Sequence, residues 1–128
     1  MEISGIHHVA IIASDYKISK NFYANILGFR EIVEVFRKER QSYKCDLEVA
    51  GKYAIELFSF PNPPKRTTNP EAVGLRHLCF EVPNIEKAIV YLKSKGITVE
   101  EVRIDPVTGK KYTFFSDPDN LPLELKET

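Results

Sequence analysis

The chain has 128 residues, with 18 basic and 18 acidic side chains, so its formal net charge is zero. This length suits one domain, or two small units that share a core. The balanced charge excludes the basic footprint of a nucleic-acid-binding protein, and no apolar run approaches the ~20 residues of a membrane span. The first residues lead directly into a strand-like segment rather than a signal peptide, so we expect a cytoplasmic protein.

The first half predicts a strand, a helix and three further strands. Ile6–Ala13 is apolar on both alternating faces, which is typical of a strand covered on both sides. Ser14 and Asp15 are good helix N-cap residues, and the helical apolar spacing that follows ends at Gly28. Three further strands are predicted at Phe29–Arg37, Ser42–Val49 and Tyr53–Phe60.

The same order returns after segment 61–73, which contains four prolines and predicts a linker. Leu75–Val82 predicts a strand, and Asn84 an N-cap of a helix that ends at Gly96. The remaining strands are predicted at Ile97–Ile104, Lys111–Ser116 and Leu121–Lys126, with a turn at 117–120. We therefore predict a single α+β domain of two βαβββ modules, residues 1–60 and 74–128.

Two histidines and two glutamates repeat at matching offsets in the modules. His8 precedes Glu56 by 48 residues, and His77 precedes Glu124 by 47. Imidazole nitrogen and carboxylate oxygen are ligands of divalent metals of borderline hardness. Taken singly, each residue is more typical of a hydrogen-bonded or solvent-facing strand position. The joint repetition favours one metal site at which the four side chains converge, with room for two more ligands.

Other residues compete for these roles. Only His8 keeps the seven-residue offset to the helix start that His77 shows, so we assign His7 to the helix-facing side. Cys79 shares the face of His77. The two cysteines, Cys45 and Cys79, have no CxxC spacing, so we expect both to be small buried or half-buried residues. We interpret the basic segment of Arg37, Lys38, Arg40 and Lys44 as a solvated strand edge; the alternative is a clamp for an anionic substrate group.

The whole chain resembles the vicinal oxygen chelate superfamily, and glyoxalase I in particular. The resemblance rests on the segments IHHVAIIASD, NFYANILGF, YAIELF, GLRHLCFEV and FFSDPDNLPLEL, and it is nearest to the small bacterial YaeR-like branch. It implies the glyoxalase/bleomycin resistance/dioxygenase fold, in which paired βαβββ modules form a cup around one metal. The implied metal ligands are His8, Glu56, His77 and Glu124.

The resemblance also implies an activity. Glyoxalase I uses nickel, cobalt or zinc and isomerises the hemithioacetal of methylglyoxal and glutathione to a lactoyl thioester; manganese and iron are further candidates for the metal here. Glu124 aligns with the usual base, and Glu56 could assist it. Small-molecule substrates and a homodimer are implied as well. The alternatives are an extradiol dioxygenase or a thiol transferase, whose relatives use two His and one Glu, and a metal-free binding or resistance protein.

Two positions depart from glyoxalase I. Similar bacterial enzymes carry an Arg and an Asn that help to hold glutathione where this chain has Ile12 and Phe60. Apolar side chains cannot pair with the carboxylates of glutathione. We therefore predict that the glutathione hemithioacetal is a poor substrate.

Overall fold

The computed structural model describes residues 1–128 and divides into two compact units, Met1–Lys65 and Arg66–Thr128. The division falls inside the predicted linker. Each unit contains one four-stranded sheet and its own helix. None of the helices has both the length and the apolar character that a membrane crossing requires.

The elements of the first unit follow the predicted order. The N-cap Asp15 accepts a hydrogen bond from the Ile18 amide at 3.2 Å, which starts the helix. The helix changes to π-helical geometry at 21–26 and stops before Gly28, whose φ of 77° suits glycine. The elements are β1 (Val9–Ala13), α1 (Tyr16–Lys20, continued by the π-helix Asn21–Ile26), β2 (Arg30–Arg37), a 3₁₀ turn (Lys38–Arg40), β3 (Ser42–Val49) and β4 (Lys52–Ser59).

The second unit repeats this order. Asn84 caps its helix by accepting from the Lys87 amide at 2.8 Å. Asp117 accepts from the amides of Asp119 and Leu121, which fixes the predicted turn before the last strand. The elements are β5 (Leu78–Val82), α2 (Ile85–Ser94), β6 (Arg103–Ile104), β7 (Lys111–Ser116) and β8 (Pro122–Glu127).

Both sheets have the same topology. The strand orders are β1-β4-β3-β2 and β5-β8-β7-β6, in which the first strand of each unit pairs parallel with the last and the others pair antiparallel. The parallel pair brings the start of each unit beside its end. The predicted fold of two βαβββ modules is confirmed.

Three predicted strands begin several residues later in the structure than expected, among them the strand predicted at Leu75–Val82, which begins at Leu78. The first begins at Val9 rather than Ile6 and is covered on one side only, because Ile11 and Ala13 are buried while Ile12 is 52% exposed. The strand predicted at 97–104 shortens to Arg103–Ile104, which pairs with β7 over two residues only.

Alternation divides each sheet into two sides. In the first unit, Ile55 and Leu57 are buried with Leu47 on the side of α1, which we call the helix side. Glu56 and Phe58 point to the opposite, open side. The second unit is built alike: Leu123 and Leu125 are buried with Ile85 and Leu92 of α2, and Glu124, between the two leucines, is on the open side.

Truncation of a buried leucine on the helix side tests this packing. Leu57 is fully buried, so we expect Leu57→Ala to lower the free energy of unfolding by about 2–5 kcal/mol. Ile18→Ala is the control: this side chain is 56% exposed, and its truncation is expected to change stability by less than about 0.5 kcal/mol. Urea denaturation measures both. Equal effects of the two substitutions would contradict the assignment of the core.

Candidate metal centre

Strand register puts a histidine and a glutamate together in each unit. Glu56 pairs with Ala10 of β1, and Glu124 pairs with Cys79 of β5. In both units the histidine lies two residues before the partner of the glutamate, so both side chains emerge on the open side. A His8–Glu56 pair and a His77–Glu124 pair therefore form within their units at the same register.

In the first unit, Glu56 is held by several groups. His8 Nε2 lies 3.3 Å from Glu56 Oε2, and the Tyr53 hydroxyl donates to the same oxygen at 2.5 Å. The Lys44 ammonium lies 3.8 Å from that oxygen and 3.2 Å from Asp46. Burial, followed by the bond to Glu56, raises the pKa of Tyr53 above its usual range, so the hydroxyl remains a donor. These contacts hold the Glu56 carboxylate in one position on the open side.

The alternation of side chains along the sequence did not predict that Tyr53 contacts Glu56. Positions 53 and 56 would lie on opposite faces of a regular strand. The β3–β4 register shifts between Leu47 and Glu48, so one additional residue of β4 is accommodated and Tyr53 turns to the open side.

His7 is placed differently from the prediction. It is exposed, with its Nδ1 2.8 Å from Nδ1 of His8 and its ring edge-on to Tyr53 at 5.2 Å. Assignment of His7 to the helix-facing side is therefore wrong, because the residue precedes β1 and escapes strand alternation. Its contact leaves Nε2 of His8 directed at Glu56.

In the second unit the pair has different neighbours. His77 Nε2 lies 3.0 Å from Glu124 Oε2, and Phe114 is edge-on to the imidazole at 5.2 Å. Arg76 Nη1 lies 3.1 Å from His77 Nδ1. A guanidinium can only donate, so this nitrogen accepts and Nε2 carries the proton shared with Glu124. A metal at Nε2 would replace that proton.

Cys79 is exposed rather than buried or half-buried, whereas Cys45 is buried as predicted. Partial burial of its thiol, followed by the Glu124 charge, raises the pKa of Cys79 to about 11. The thiol is therefore protonated at neutral pH and donates toward Glu124. A raised pKa is the opposite of what activates a cysteine as a nucleophile.

The two pairs fit a divalent metal. Ligand atoms about 2.0–2.2 Å from one ion and at right angles to each other are about 3 Å apart. The nitrogen–oxygen separations of 3.3 and 3.0 Å match that spacing, and all four side chains are only partly exposed. Imidazole and carboxylate together suit nickel, zinc, cobalt, manganese or iron.

A second group of possible ligand atoms lies on the helix side of the first sheet. Atoms of Glu31, Glu34 and Cys45 lie within 4.8 Å of one another. The Lys20 ammonium already occupies this site, 3.0 Å from Glu31 and 2.6 Å from Glu34, and Tyr16 donates to Glu34. This group is an ion-pair cluster in which Lys20 compensates one of the two carboxylate charges.

The basic segment is a solvated edge only in part, because Lys38 and Arg40 are exposed whereas Arg37 and Lys44 are half-buried. The Arg37 guanidinium lies over the ring of Phe58 at 5.1 Å, and that of Arg40 over Phe60 at 5.0 Å. Lys44 reaches Glu56. The solvated-edge interpretation is therefore wrong for Arg37 and Lys44, which lie against side chains of β4. Arg40 is exposed to solvent while it contacts Phe60.

Comparison with known proteins identifies the family. The model of the Glyoxalase/Bleomycin resistance protein/Dioxygenase superfamily matches residues 5–125. The chain belongs to this superfamily. It is 59% identical to the uncharacterized protein YwkD of Bacillus subtilis over 99% of both chains, and 56% identical to the uncharacterized protein YaeR of Escherichia coli over 95% of both. The crystal structure of a glyoxalase family protein from Enterococcus faecalis matches with a TM-score of 0.89 and 48% identity, over 99% of this chain and 100% of that one.

More distant superfamily relatives have assigned activities. At 28–29% identity they include a lactoylglutathione lyase of Schizosaccharomyces pombe, a bovine methylmalonyl-CoA epimerase and the metallothiol transferase FosB of Staphylococcus saprophyticus. This chain covers 46%, 73% and 76% of their lengths, respectively. A mutant of the fosfomycin resistance protein FosX from Listeria monocytogenes, 25% identical with a TM-score of 0.74, was crystallised with Mn(II) and a phosphonic acid. Divalent metals and small-molecule chemistry thus recur in the superfamily.

Proposed function

We propose that the chain is a metal-dependent enzyme of the glyoxalase I type, which moves a proton next to the carbonyl group of a small substrate. In this proposal His8, Glu56, His77 and Glu124 hold one divalent metal. The observation that carries it is the recurrence of one His–Glu pair at the same register in both units. Isolated surface residues have no reason to repeat in this way.

The residues have separate roles in the proposed reaction. The metal, when bound, supplies a Lewis acid that stabilises negative charge on the substrate oxygens. Glu56 binds and orients, since Tyr53 and Lys44 hold its carboxylate. Glu124 has fewer polar contacts and lies beside the Phe114 ring, to which it is paired in register. We therefore assign the proton transfer to Glu124.

Metal binding is the direct test of the proposal. The purified protein, stripped with chelator and reloaded, is expected to hold one nickel, cobalt, zinc or manganese ion per chain by elemental analysis. Because metal binds the folded state, it should raise the melting temperature. A screen of 2-oxoaldehyde–thiol adducts then seeks the substrate. Protein without bound metal and without a melting shift would refute the proposal and favour a metal-free binding protein.

The glutathione adduct is expected to be a poor substrate. Ile12 is on the open side, paired with Phe58 and 52% exposed, so it offers no charge to a carboxylate. Arg37 and Arg40 lie over the stacked rings of Phe58 and Phe60 and together can engage one of the two separate carboxylates of glutathione. Each lost charge-assisted bond is worth roughly 1.5–3 kcal/mol, so the loss of the other bond reduces kcat/KM by about 10–10²-fold. Steady-state turnover of the methylglyoxal–glutathione adduct measures this. A kcat/KM above about 10⁴ per molar per second, as in ordinary good enzymes, would contradict it.

We also expect a homodimer. β2 is an edge strand whose first seven residues are exposed. Its exposed apolar side chains include Val33, Val35 and Phe36. An unpaired edge with apolar side chains favours association. Light scattering at micromolar concentration measures the mass; a monomer would contradict the expectation, and Val35→Lys is expected to weaken the dimer.

A further inference from the structure

We propose that Arg37 and Arg40 form an oxyanion-binding site beside His8 and Glu56, so that the substrate carries a compact carboxylate, phosphate or phosphonate group. This inference deepens the proposed function, because it assigns a substrate class to the same face of the first sheet. All the residues that carry it belong to the first unit.

The two aromatic rings place the cations on the open side. Phe58 follows Glu56 by two residues on β4, so both side chains point the same way. The rings of Phe58 and Phe60 are stacked with centroids 5.5 Å apart, and each carries one guanidinium. One two-residue step along a strand is about 7 Å. A small substrate that reached the Glu56 carboxylate could therefore extend an anionic group to Arg37.

Neither guanidinium is neutralised by the protein. The ion pairs of the chain engage Lys20, Arg30, Lys44, Arg76, Arg103, Lys111 and Lys126, but neither Arg37 nor Arg40. Lys44, the neighbouring cation on this face, is already paired with Asp46. The two arginines are thus the cations of this face that have no carboxylate partner.

Arg37 also has an unused hydrogen-bond donor. Its Nε is buried and has no hydrogen-bond partner. A buried N–H without an acceptor is unfavourable and uncommon in native proteins. An incoming oxyanion could supply an acceptor, and the planar guanidinium can offer two parallel N–H groups to it.

The aromatic stacking makes these cations suitable for binding. A guanidinium that lies over a ring is attracted to the ring face, and the N–H groups of its terminal nitrogens lie in the plane of the guanidinium rather than against the ring. This contact restrains a long side chain before the ligand arrives, so less conformational entropy is lost on binding. Lys38, in the same turn, is exposed and lies over no ring.

The first test measures binding of inorganic phosphate, methylphosphonate and acetate to the metal-free protein by NMR titration. We expect Arg37→Gln and Arg40→Gln each to weaken binding by about 10-fold or more. Lys38→Gln removes the same charge from the same turn and is expected to leave affinity within about twofold. Preference for acetate or for the phosphoryl probes identifies the anion. Equal affinity in all variants, or an equal loss in Lys38→Gln, would overturn the proposal.

The second test separates this inference from the metal proposal. In metal-loaded protein, Arg37→Gln should keep its metal content and melting shift, raise KM for anionic substrates by about 10–100-fold, and leave uncharged analogues unchanged. Arginine-dependent anion binding without any metal binding would refute the metal proposal alone. Metal binding with arginine-independent anion affinity would refute the anion site alone. Circular dichroism spectra and melting temperatures of the variants verify that they fold.

Discussion

Replacement of Glu124 by glutamine is expected to lower kcat by about 10²–10⁴-fold, the contribution of a lost general base. The carboxamide keeps an oxygen where the carboxylate had one, so metal content should stay near that of the parent protein. It cannot accept the proton from carbon. The measurement combines steady-state turnover of the best adduct with deuterium incorporation from solvent, which reports proton transfer directly.

Two matched variants make the Glu124 experiment decisive. Glu81→Gln removes one carboxylate from β5, beside the same sheet face, and is expected to leave kcat unchanged. Glu56→Gln is expected to weaken metal binding more than it affects kcat of the loaded enzyme, because Tyr53 and Lys44 hold this carboxylate as a ligand. Full turnover in Glu124→Gln would contradict the assignment of Glu124 as the general base. Loss of turnover only in Glu56→Gln would assign the base to Glu56 instead.

Removal of either histidine should abolish stable metal binding. His8→Ala and His77→Ala each delete one imidazole nitrogen from the proposed ligand set. We expect each to lower metal affinity by more than a hundredfold, beyond the 10–100-fold typical of residues that only support a ligand. Competition with a chromophoric chelator measures the affinities, and elemental analysis after dialysis measures the retained metal.

The other candidate ligands supply the controls for this experiment. His7→Ala removes a group that touches His8 through Nδ1 and should have only the smaller, supporting effect. Glu34→Gln disturbs the cluster occupied by Lys20 and should leave metal affinity unchanged. A loss of metal in Glu34→Gln that matched the loss in His8→Ala would move the metal to the helix side of the first sheet.

The sequence predicted the fold because the order of its elements follows simple rules. The order of one βαβββ module fixes which strands are neighbours, and alternation fixes which side chains share a face. Glu56 and Glu124 each lie between two aliphatic residues that must be buried, so the carboxylates had to point to the open side.

The surroundings of the pairs depend on irregular backbone, which alternation does not describe. The register shift in β4 turned Tyr53 toward Glu56. The 3₁₀ turn of 38–40, followed by Gln41 with a φ of 46°, leads the chain from β2 into β3 and sets the direction of Arg40. His7 precedes β1, so the alternation of side chains along a strand does not determine the direction of its side chain. Such local geometry depends on the balance between turn conformation and side-chain packing, and the pattern of residue types along the sequence does not predict that balance.

Because the first and last strands of each unit pair in parallel, a metal held by the histidine and the glutamate would join the two ends of that unit. Each pair links residues 48 or 47 positions apart, from one end of a unit to the other. An ion held by such a pair would act as a reversible cross-link that closes a loop of nearly the entire unit. The entropy lost on closing a loop grows with its length, and here folding has already brought the ends together. Bound metal should therefore slow the fraying of β1 and β5, the two strands that directly follow these histidines, and hydrogen exchange of their amides would measure this effect.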